Sequence, residues 1–286
     1  MKKWLSIFVP FALILFLAAC GTSNDETTEG GNADGGETKP EETTTLVVGA
    51  SNVPHAEILE EAKPILEEQG IELQIETFQD YVLPNQALAG GDLDANYFQH
   101  IPYLNAQIEE HGYDFVNAGG IHIEPIGVYS KKYDSLDDLP EKAHIIISSS
   151  VPDHGRILSL LEKEGLITLK DGVEKTTATI DDIVDNPKNL HFDTEYEASL
   201  LPQIYNNDEG DAVLINSNYA IDAGLNPLED SIAIEESDSP YVNVIAVRSG
   251  DENKEAIKAL VEVLRSEEIQ NFILEKYEGA VVPVSE

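Results

Sequence analysis

Cysteine and cationic side chains are the groups that this sequence nearly lacks. One cysteine, Cys20, occurs among 286 residues, so no disulfide can form within the chain. Lys and Arg together number 17 against 54 Asp and Glu, and the formal net charge is -37. Because proteins bind nucleic acid by neutralising its phosphates with Lys and Arg, this balance excludes a nucleic-acid-binding role. It is typical of solubility or salt adaptation, with an acidic interaction surface as the alternative.

Signatures of catalysis are missing as well. The chain contains no G-x-S-x-G, no H-E-x-x-H and no glycine-rich phosphate loop, and residues 90–92 (Gly-Gly-Asp) predict a turn. The seven histidines lack the short spacings of a metal site, and such a site would need several of His100, His122 and His154 to converge. We therefore expect a protein that is not an enzyme and needs no cofactor. A metal-binding transport component and an adhesive surface protein remain as alternatives.

The N-terminus has the pattern of an export signal. Lys2 and Lys3 precede an apolar run over residues 4–19, which is shorter than the ~20 residues that a membrane span needs. The run ends in Leu-Ala-Ala-Cys, which resembles the lipobox of bacterial lipoproteins. This resemblance implies a signal peptide over residues 1–19 and acylation of the Cys20 thiol. The protein would then be lipid-anchored at the extracytoplasmic face of the cell membrane.

A polar, acidic segment follows the lipobox. Residues 21–45 read GTSNDETTEGGNADGGETKPEETTT and contain almost no apolar side chains. Such a composition cannot bury enough surface to offset the entropy lost on ordering. We therefore predict that residues 20–45, with the lipidated cysteine at their start, form a disordered tether.

From Leu46 onward, short apolar runs alternate with segments of helical periodicity. The predicted strands cover residues 46–50, 71–78, 144–148 and 211–216. The predicted helices cover residues 56–69, 85–89, 101–112, 156–164 and 252–265. Strands separated by helices indicate an α/β fold with mainly parallel sheets.

Two further segments have the pattern of strands that cross between lobes. They cover residues 126–132 and 242–249, and each leads through acidic sequence into a helix. A chain that leaves one lobe after the first and returns at the second forms two α/β lobes. We predict a first lobe from residues 46–131 and 242–286, a second lobe from residues 132–241, and a ligand cleft between them.

Five motifs occur in order along this body. They are TFQDYVLPNQALAGGDLDANYFQHIPYL (77–104), PIGVYSKK (125–132), NPKNL (186–190), AVLINSNYA (212–220) and SPYVNVI (239–245). Together they resemble the MetQ/NlpA family of methionine-binding lipoproteins, the substrate-binding proteins of ABC importers. The resemblance implies a type II periplasmic-binding-protein fold that closes on L- or D-methionine or a close derivative. It also implies an ABC permease and its ATPase as partners.

Aromatic residues cluster within the first motif. Phe78, Tyr81, Phe98 and Tyr103 are interleaved with side-chain amides, which a dry core would not favour. Aromatic rings contact thioether sulfur favourably, although each ring taken alone is more typical of a core position. The resemblance implies that these four rings line the methionine side chain and that His100 lies in the same pocket.

Arg156 is the candidate for binding a ligand carboxylate. The chain has only three arginines, and this one follows a glycine at the predicted start of a helix. A helix N-terminus favours anions, and a guanidinium can hold a carboxylate with two parallel hydrogen bonds. A surface salt bridge is the alternative role. The resemblance places Asn216 and Asn243 against the ligand's amino and carboxylate groups, whereas isolated asparagines often cap turns.

The segment before Arg156 departs from the family pattern. The family usually has Pro-Asn-Asp-Pro-Thr-Asn before Gly-Arg, and this chain has Asp153 where a pocket asparagine is expected. Asp153 can pair with a ligand ammonium or partly neutralise Arg156. The ligand therefore stays open among methionine, a methionine derivative, a methionine-containing dipeptide and another apolar amino acid.

Overall fold

The computed structural model describes residues 43–284. The predicted signal peptide, Cys20 and most of the predicted tether lie outside the described residues. The last two residues of that tether, Thr44 and Thr45, already belong to the first strand, because the backbone of Thr44 pairs with the next strand at Ile71. Within residues 43–284, no helix combines the length and apolar character needed to cross a membrane.

Thirteen strands form the sheets of the described chain. They are β1 (Thr44–Ser51), β2 (Ile71–Phe78), β3 (Ala95–His100), β4 (Phe115–Ile123), β5 (Gly127–Tyr129), β6 (His144–Ser148), β7 (Thr168–Leu169), β8 (Ile183–Asp185), β9 (His191–Tyr196), β10 (Ala212–Ile215), β11 (Ala233–Ile234), β12 (Val242–Arg248) and β13 (Val282–Pro283). The bounds of β2 and β6 are those predicted from their apolar patterns.

Eight α-helices connect and cover these strands. They are α1 (Glu57–Glu68), α2 (Leu83–Gly90), α3 (Ile101–His111), α4 (Val151–Lys163), α5 (Leu201–Asn206), α6 (Ser217–Asp222), α7 (Glu255–Leu264) and α8 (Glu267–Tyr277), and a short π-helical segment, Asn52–Ala56, precedes α1. Gly112 ends α3 in the left-handed conformation, as its position after the last periodic residue predicted.

The first sheet has six strands in the order β13-β4-β12-β3-β1-β2. Strand β1 runs parallel to β2 and β3, whereas β12 is antiparallel to both β3 and β4. Because β12 lies between those two strands, Asn243 is placed opposite His100 on one side and His122 on the other. The register of this returning strand therefore brings three polar side chains together.

The second sheet has five strands in the order β11-β5-β10-β6-β9. The strands β9, β6 and β10 are parallel, while β5 is antiparallel to both of its neighbours, β10 and β11. Both sheets are mixed, so the prediction of mainly parallel sheets was wrong. Strands β5 and β12, which each follow a crossing between the sheets, run antiparallel to their neighbours, and so does β13 after α8. Alternating sequence does not reveal strand direction.

Apolar residues cover both faces of each sheet. In the first sheet, helices α1, α7 and α8 bury Leu59, Leu260 and Ile273 on one face, and Leu88 and Leu104 from α2 and α3 lie in the cluster on the other. The second sheet is covered by α4 on one face and by α5 and α6 on the other. Each lobe is thus a helix-sheet-helix sandwich, and the predicted two-lobed α/β fold is confirmed.

The chain passes between the sheets twice. It leaves the first sheet after β4, crosses at residues 124–126, and returns between β11 and β12. The first predicted crossing strand instead belongs to the second sheet, where Val128 and Tyr129 are buried against β10. The crossing therefore lies ahead of the boundary predicted after residue 131, and it begins at Glu124.

Candidate functional site

A buried cavity lies where the two sheets meet. Its lining includes eight of the nine predicted ligand-binding residues, and the complete set is Tyr81, Phe98, Gln99, His100, Tyr103, Glu124, Asp153, Arg156, Asn216, Ser217, Asn218 and Asn243. Phe78 is not part of the lining. It packs against the apolar cluster around Leu88 and Leu93, so its role in this structure is that of a core residue.

The cavity is narrow in this conformation. Its free volume is about 20 Å³, which is close to the space that one water molecule needs. Within residues 43–284, four hydrogen bonds join the two lobes, two of them between residues that line the cavity. They are Tyr81 Oη to Asn218 Oδ1 (2.6 Å), His100 Nε2 to Asp153 Oδ1 (3.0 Å), Tyr219 Oη to the Gln79 carbonyl (3.1 Å) and Asn52 Nδ2 to Asp222 Oδ1 (2.6 Å).

Three aromatic rings form one wall of the cavity. The ring centroids of Tyr81, Phe98 and Tyr103 lie 6.0–6.1 Å from one another. The Tyr103 hydroxyl donates to the Tyr81 carbonyl at 2.8 Å, which fixes two of the rings relative to each other. Edge-to-face and tilted rings at this spacing offer a polarisable apolar surface to a ligand side chain.

His100 stands at the junction of β3 and α3. Its Nδ1 accepts a hydrogen bond from the Tyr103 backbone amide at 3.1 Å and so caps the helix. With Nδ1 as an acceptor, Nε2 carries the proton and donates to Asp153 across the cleft. A helix cap thereby orients a side chain that joins the lobes.

Asp153 is buried, and both oxygens of its carboxylate accept hydrogen bonds. Its Oδ1 accepts from His100 and lies 3.8 Å from Arg156 Nη1, and its Oδ2 accepts from Asn216 Nδ2 at 3.2 Å. Burial by itself would raise the pKa of this carboxyl. The hydrogen bond from His100, the charge of Arg156 and the Asn216 amide outweigh burial and lower the pKa from 3.8 to about 2. Asp153 is therefore ionised at neutral pH.

Arg156 is not at the start of its helix. Helix α4 begins at Val151, five residues earlier than predicted, because Pro152 suits a first helical turn. The predicted contribution of the helix N-terminus to Arg156 is therefore wrong. Gly155 lies inside the helix where a Cβ atom would come within 2.2 Å of the Lys175 carbonyl oxygen, so the glycine reflects close backbone packing.

The Arg156 guanidinium already binds a carboxylate of the protein. Its Nε and Nη2 donate to Glu235, and Nη2 also donates to the Glu124 carbonyl at 2.6 Å. The Tyr241 ring lies 4.7 Å from the guanidinium carbon. Among the described residues, Nη1 makes no hydrogen bond and lies nearest to Asp153 at 3.8 Å. A ligand carboxylate would thus meet one edge of a pre-oriented guanidinium.

The two predicted asparagines differ in whether the side-chain oxygen has a hydrogen-bond partner. Asn243 Oδ1 accepts from His55 Nε2 at 3.1 Å. Asn216 follows β10 and precedes α6, but its side chain makes no capping hydrogen bond. Its Nδ2 donates to Asp153, while its buried Oδ1 has no partner among the described residues. A buried acceptor without a donor is uncommon, so the ligand's ammonium is a suitable partner for it.

A second polar cluster lies beside the cavity, and the sequence analysis missed it as a unit. His55 Nε2 and His122 Nε2 lie 3.2 Å and 2.7 Å from the same Glu124 oxygen, Oε1. Tyr97 Oη donates to His122 Nδ1. Glu124 is one of 54 acidic residues, and only its position directly after an apolar strand and before a family motif distinguishes it.

The histidines of the described chain do not converge as the metal alternative required. Within residues 43–284, the ligand atoms that come within 4.8 Å of one another belong to His55, His122 and Glu124. His100 donates to Asp153, and His154 donates to the Ser148 carbonyl at 2.9 Å. His122 Nε2 donates to the Glu124 carboxylate, whereas His55 Nε2 donates to Asn243 Oδ1 and lies 3.2 Å from Glu124 Oε1.

Comparisons with known proteins agree with the fold. The family model described as NlpA lipoprotein matches residues 46–285. A curated relative from Bacillus subtilis (strain 168), named methionine-binding lipoprotein MetQ, is 48% identical over 291 residues, and the match covers 100% of both chains.

Two solved structures extend the comparison. A lipoprotein of the YaeC family from Enterococcus faecalis is 58% identical with a TM-score of 0.82, covering 84% of this chain and 100% of that one. A nutrient-binding protein from Burkholderia cenocepacia, solved bound to methionine, is 41% identical with a TM-score of 0.79, covering 83% of this chain and 99% of that one. With a family model that spans the whole body and a relative of this identity over full length, this chain belongs to the NlpA lipoprotein family.

Proposed function

We propose that this protein is a lipid-anchored binding protein that captures methionine outside the cytoplasmic membrane for an ABC importer. The observation that carries the proposal is a buried cavity between the lobes with an aromatic wall at one side and charged groups of both signs at the other. A free amino acid with an apolar side chain has the same division into apolar and zwitterionic parts. The full-length relative named as methionine-binding and the methionine-bound structure support the choice of ligand.

Each part of the ligand has a partner in this proposal. The thioether packs against Tyr81, Phe98 and Tyr103, because sulfur-aromatic contacts are favourable by roughly 0.3–1.5 kcal/mol. The ligand carboxylate binds the free Nη1 edge of Arg156, and the ammonium is met by buried acceptors such as Asn216 Oδ1. Binding separates the side chains that now fill the cavity, and closure then buries the ligand between the lobes.

The role in transport needs no catalytic residue in this chain. The lipid on Cys20 keeps the protein at the membrane, and a permease receives the ligand when the lobes open. Uptake energy comes from the cytoplasmic ATPase of the importer. The binding protein contributes specificity and a high local concentration of ligand near the permease.

A methionine-containing dipeptide is the second candidate. A wider space of about 900 Å³ adjoins the buried cavity and shares Tyr81 and Tyr103 with it. It is lined by residues of both lobes, including Asn105 and Ser150. An additional residue attached to methionine would extend into this space without entering either hydrophobic core.

The proposal is tested by ligand-dependent stability. L-methionine should raise the melting temperature, because a ligand that binds only the folded state stabilises it by about 2.7 kcal/mol at a hundredfold excess over Kd. Thermal melts with L-methionine, D-methionine, Gly-Met and zinc at equal concentration compare the candidates. Mass spectrometry of the protein purified without refolding identifies any ligand retained from the cell.

The site itself is tested by calorimetric titration of Arg156→Ala with L-methionine. Binding should weaken by about 2–4 kcal/mol, because the change leaves the ligand carboxylate without its cationic partner. Arg248→Ala is the matched control, since Arg248 contacts carbonyls of Leu88 and Leu93 away from the cavity. Equal affinities in wild type and Arg156→Ala would rule out this site.

A further inference from the structure

We propose that His144, His191 and Asp193 bind a divalent transition metal of the zinc class on the second lobe. The ion would join β9, which is the edge strand of the second sheet, to its neighbour β6. The inference does not rest on the proposed function, because the site lies at the other end of these strands from the ligand cavity. Local sequence patterns did not reveal it, since the two histidines are far apart in the chain.

Strand pairing brings the three side chains together. Strands β6 and β9 run parallel, with His144 opposite His191 and Ile146 opposite Asp193. Because side chains alternate along a strand, His191 and Asp193 point to one face while Phe192 packs into the core on the other. His144 lies two residues before Ile146, whose side chain belongs to the core on the face opposite that of Phe192. The three polar side chains therefore share one face at the start of the two strands.

The distances within this group suit a metal ion. His144 Nε2 lies 3.4 Å from Asp193 Oδ2. That separation is long for a hydrogen bond, but two ligands that are each about 2.1 Å from a tetrahedral zinc ion lie about 3.4 Å apart. The ring centroids of His144 and His191 are 5.4 Å apart. The three groups do not all lie within 4.8 Å of one another, so the His191 ring has to turn toward the other two when the ion binds.

Both imidazoles are available to a metal. In the described part of the chain, the rings of His144 and His191 make no hydrogen bond, and both are in contact with solvent. The four buried histidines of the same region each have a hydrogen-bond partner, and they are His55, His100, His122 and His154. A ring nitrogen that faces water exchanges it for a metal without breaking a bond within the protein. The exposed pair is therefore the better donor set.

The backbone around the site is held in place. The His144 amide donates to Asp211 Oδ2 at 2.8 Å, and the His144 carbonyl accepts from the Asp211 amide at 2.7 Å. Asp193 Oδ1 accepts from the Glu195 amide at 3.1 Å, and its Oδ2 is the oxygen that faces His144. Binding an ion thus reorders exposed side chains and leaves the strands as they are, which keeps the entropic cost of the site small.

Two imidazoles and one carboxylate select the class of metal. Imidazole nitrogen and carboxylate oxygen are zinc ligands, and three protein ligands with one water complete a tetrahedral site. Magnesium and calcium prefer oxygen ligands alone, so two imidazoles do not favour them. A net charge of -37 attracts any divalent cation to the surface. Discrimination between zinc and magnesium therefore separates a built site from diffuse attraction.

The position of the site predicts what the ion does. His144 begins β6 and Ser148 ends it, and the cavity residue Asp153 follows on α4. Four residue steps along a strand cover about 13 Å, so an ion at His144 does not reach the cavity. Strand β9 has a sheet partner on one side only, and a link to β6 would hold this edge in place. Zinc should therefore stabilise the second lobe and leave the ligand cavity accessible.

The first experiment measures metal affinity by calorimetry on purified protein treated with a chelator. Zinc should bind the wild type, and magnesium at the same concentration should not. His144→Gln and His191→Gln should each weaken zinc binding by about tenfold or more. His111→Gln is the matched control and should bind as the wild type does, because its ring is also exposed and its nearest carboxylate, Glu110, is 4.0 Å away.

Two results of this titration would overturn the inference. One is equal zinc affinity in the wild type, His144→Gln and His191→Gln, which would place the ion elsewhere, such as beside His55 and His122. The other is equal binding of magnesium and zinc, which would indicate attraction by the acidic surface alone. Because the substituted rings are exposed, the variants should unfold at the wild-type urea concentration when metal is absent.

The second experiment locates the ion by hydrogen exchange. With zinc, the amides of residues 191–196 in β9 should exchange more slowly in the wild type and at an unchanged rate in His191→Gln. The rise in melting temperature caused by L-methionine should be the same with and without zinc. Protection confined to the cleft, or loss of L-methionine binding when zinc is added, would place the metal at the cavity and overturn the inference.

Discussion

At the scale of single residues, chemical type did not determine role. Asp153 and Glu124 are both buried carboxylates at one cavity, yet their partners shift their pKa values in opposite directions. Asp153 has hydrogen-bond donors and a cation beside it, while Glu124 has two neutral imidazoles. Phe78 shows the same principle, because a family motif predicted it in the pocket and packing placed it in a core.

The lowered pKa of Asp153 predicts a pH-dependent contribution to stability. A carboxyl with a pKa of about 2 in the folded chain and 3.8 as its ordinary value stabilises the fold fully above pH 3.8, and this contribution disappears as the pH falls toward 2. At pH 6, Asp153→Asn should therefore lower the free energy of unfolding by about 2 kcal/mol. Urea titrations of both proteins between pH 3 and 6 should show the difference shrinking on acidification. A difference that stays constant would contradict this role.

At the scale of elements, α4 controls the geometry of the charged side of the cavity. It contributes both Asp153 and Arg156 from one face, three residues apart. Its early start at Val151 puts these residues within the helix, where their backbones are rigid. Because the Lys175 backbone approaches Gly155 closely, this contact fixes how α4 packs against the rest of the second lobe.

Gly155→Ala should destabilise the protein although alanine is the better helix former. The new Cβ would lie 2.2 Å from a backbone oxygen, and relieving that overlap costs about 1–3 kcal/mol, more than the ~1 kcal/mol gained in helix propensity. Gly90→Ala in α2 is the matched control, since its nearest neighbour would be a flexible Asp92 side chain at 3.5 Å. Urea unfolding measures both. Unchanged stability in Gly155→Ala would show that the backbone at Lys175 moves away from α4 at no cost.

At the scale of the whole molecule, the two-lobed body and the proposed lipid anchor at Cys20 have separate tasks. Both sheets have cores on both faces, so each lobe can move as a unit while the crossings at residues 124–126 and 235–241 change conformation. The described residues form few hydrogen bonds across the cleft. In the proposed function, anchoring depends on one thiol and not on this body.

Cys20→Ala should therefore release a folded, binding-competent protein from the membrane. In the proposed function the acyl chains are attached through this thiol, and the sequence has no other cysteine to accept them. Membrane fractionation of cells expressing the variant measures the release, and the released protein should bind L-methionine as the wild type does. A variant that remains entirely in the membrane fraction would contradict lipid anchoring.

Local patterns in the sequence predicted several of the strands and helices, and ordered motifs predicted the family. Strand and helix patterns are short-range, so the apolar runs of β2 and β6 predicted their bounds, and five ordered motifs predicted the two-lobed fold. Strand direction, the place of the first crossing and the start of α4 depend on contacts between residues that are far apart in the sequence, which local patterns do not reveal. The sequence predicted Asp153 at the cavity, but only the fold shows that Glu124, another of the 54 acidic residues, lines it as well. His55 and Asn243 are 188 positions apart, and they meet beside Glu124 because β12 returns between β3 and β4.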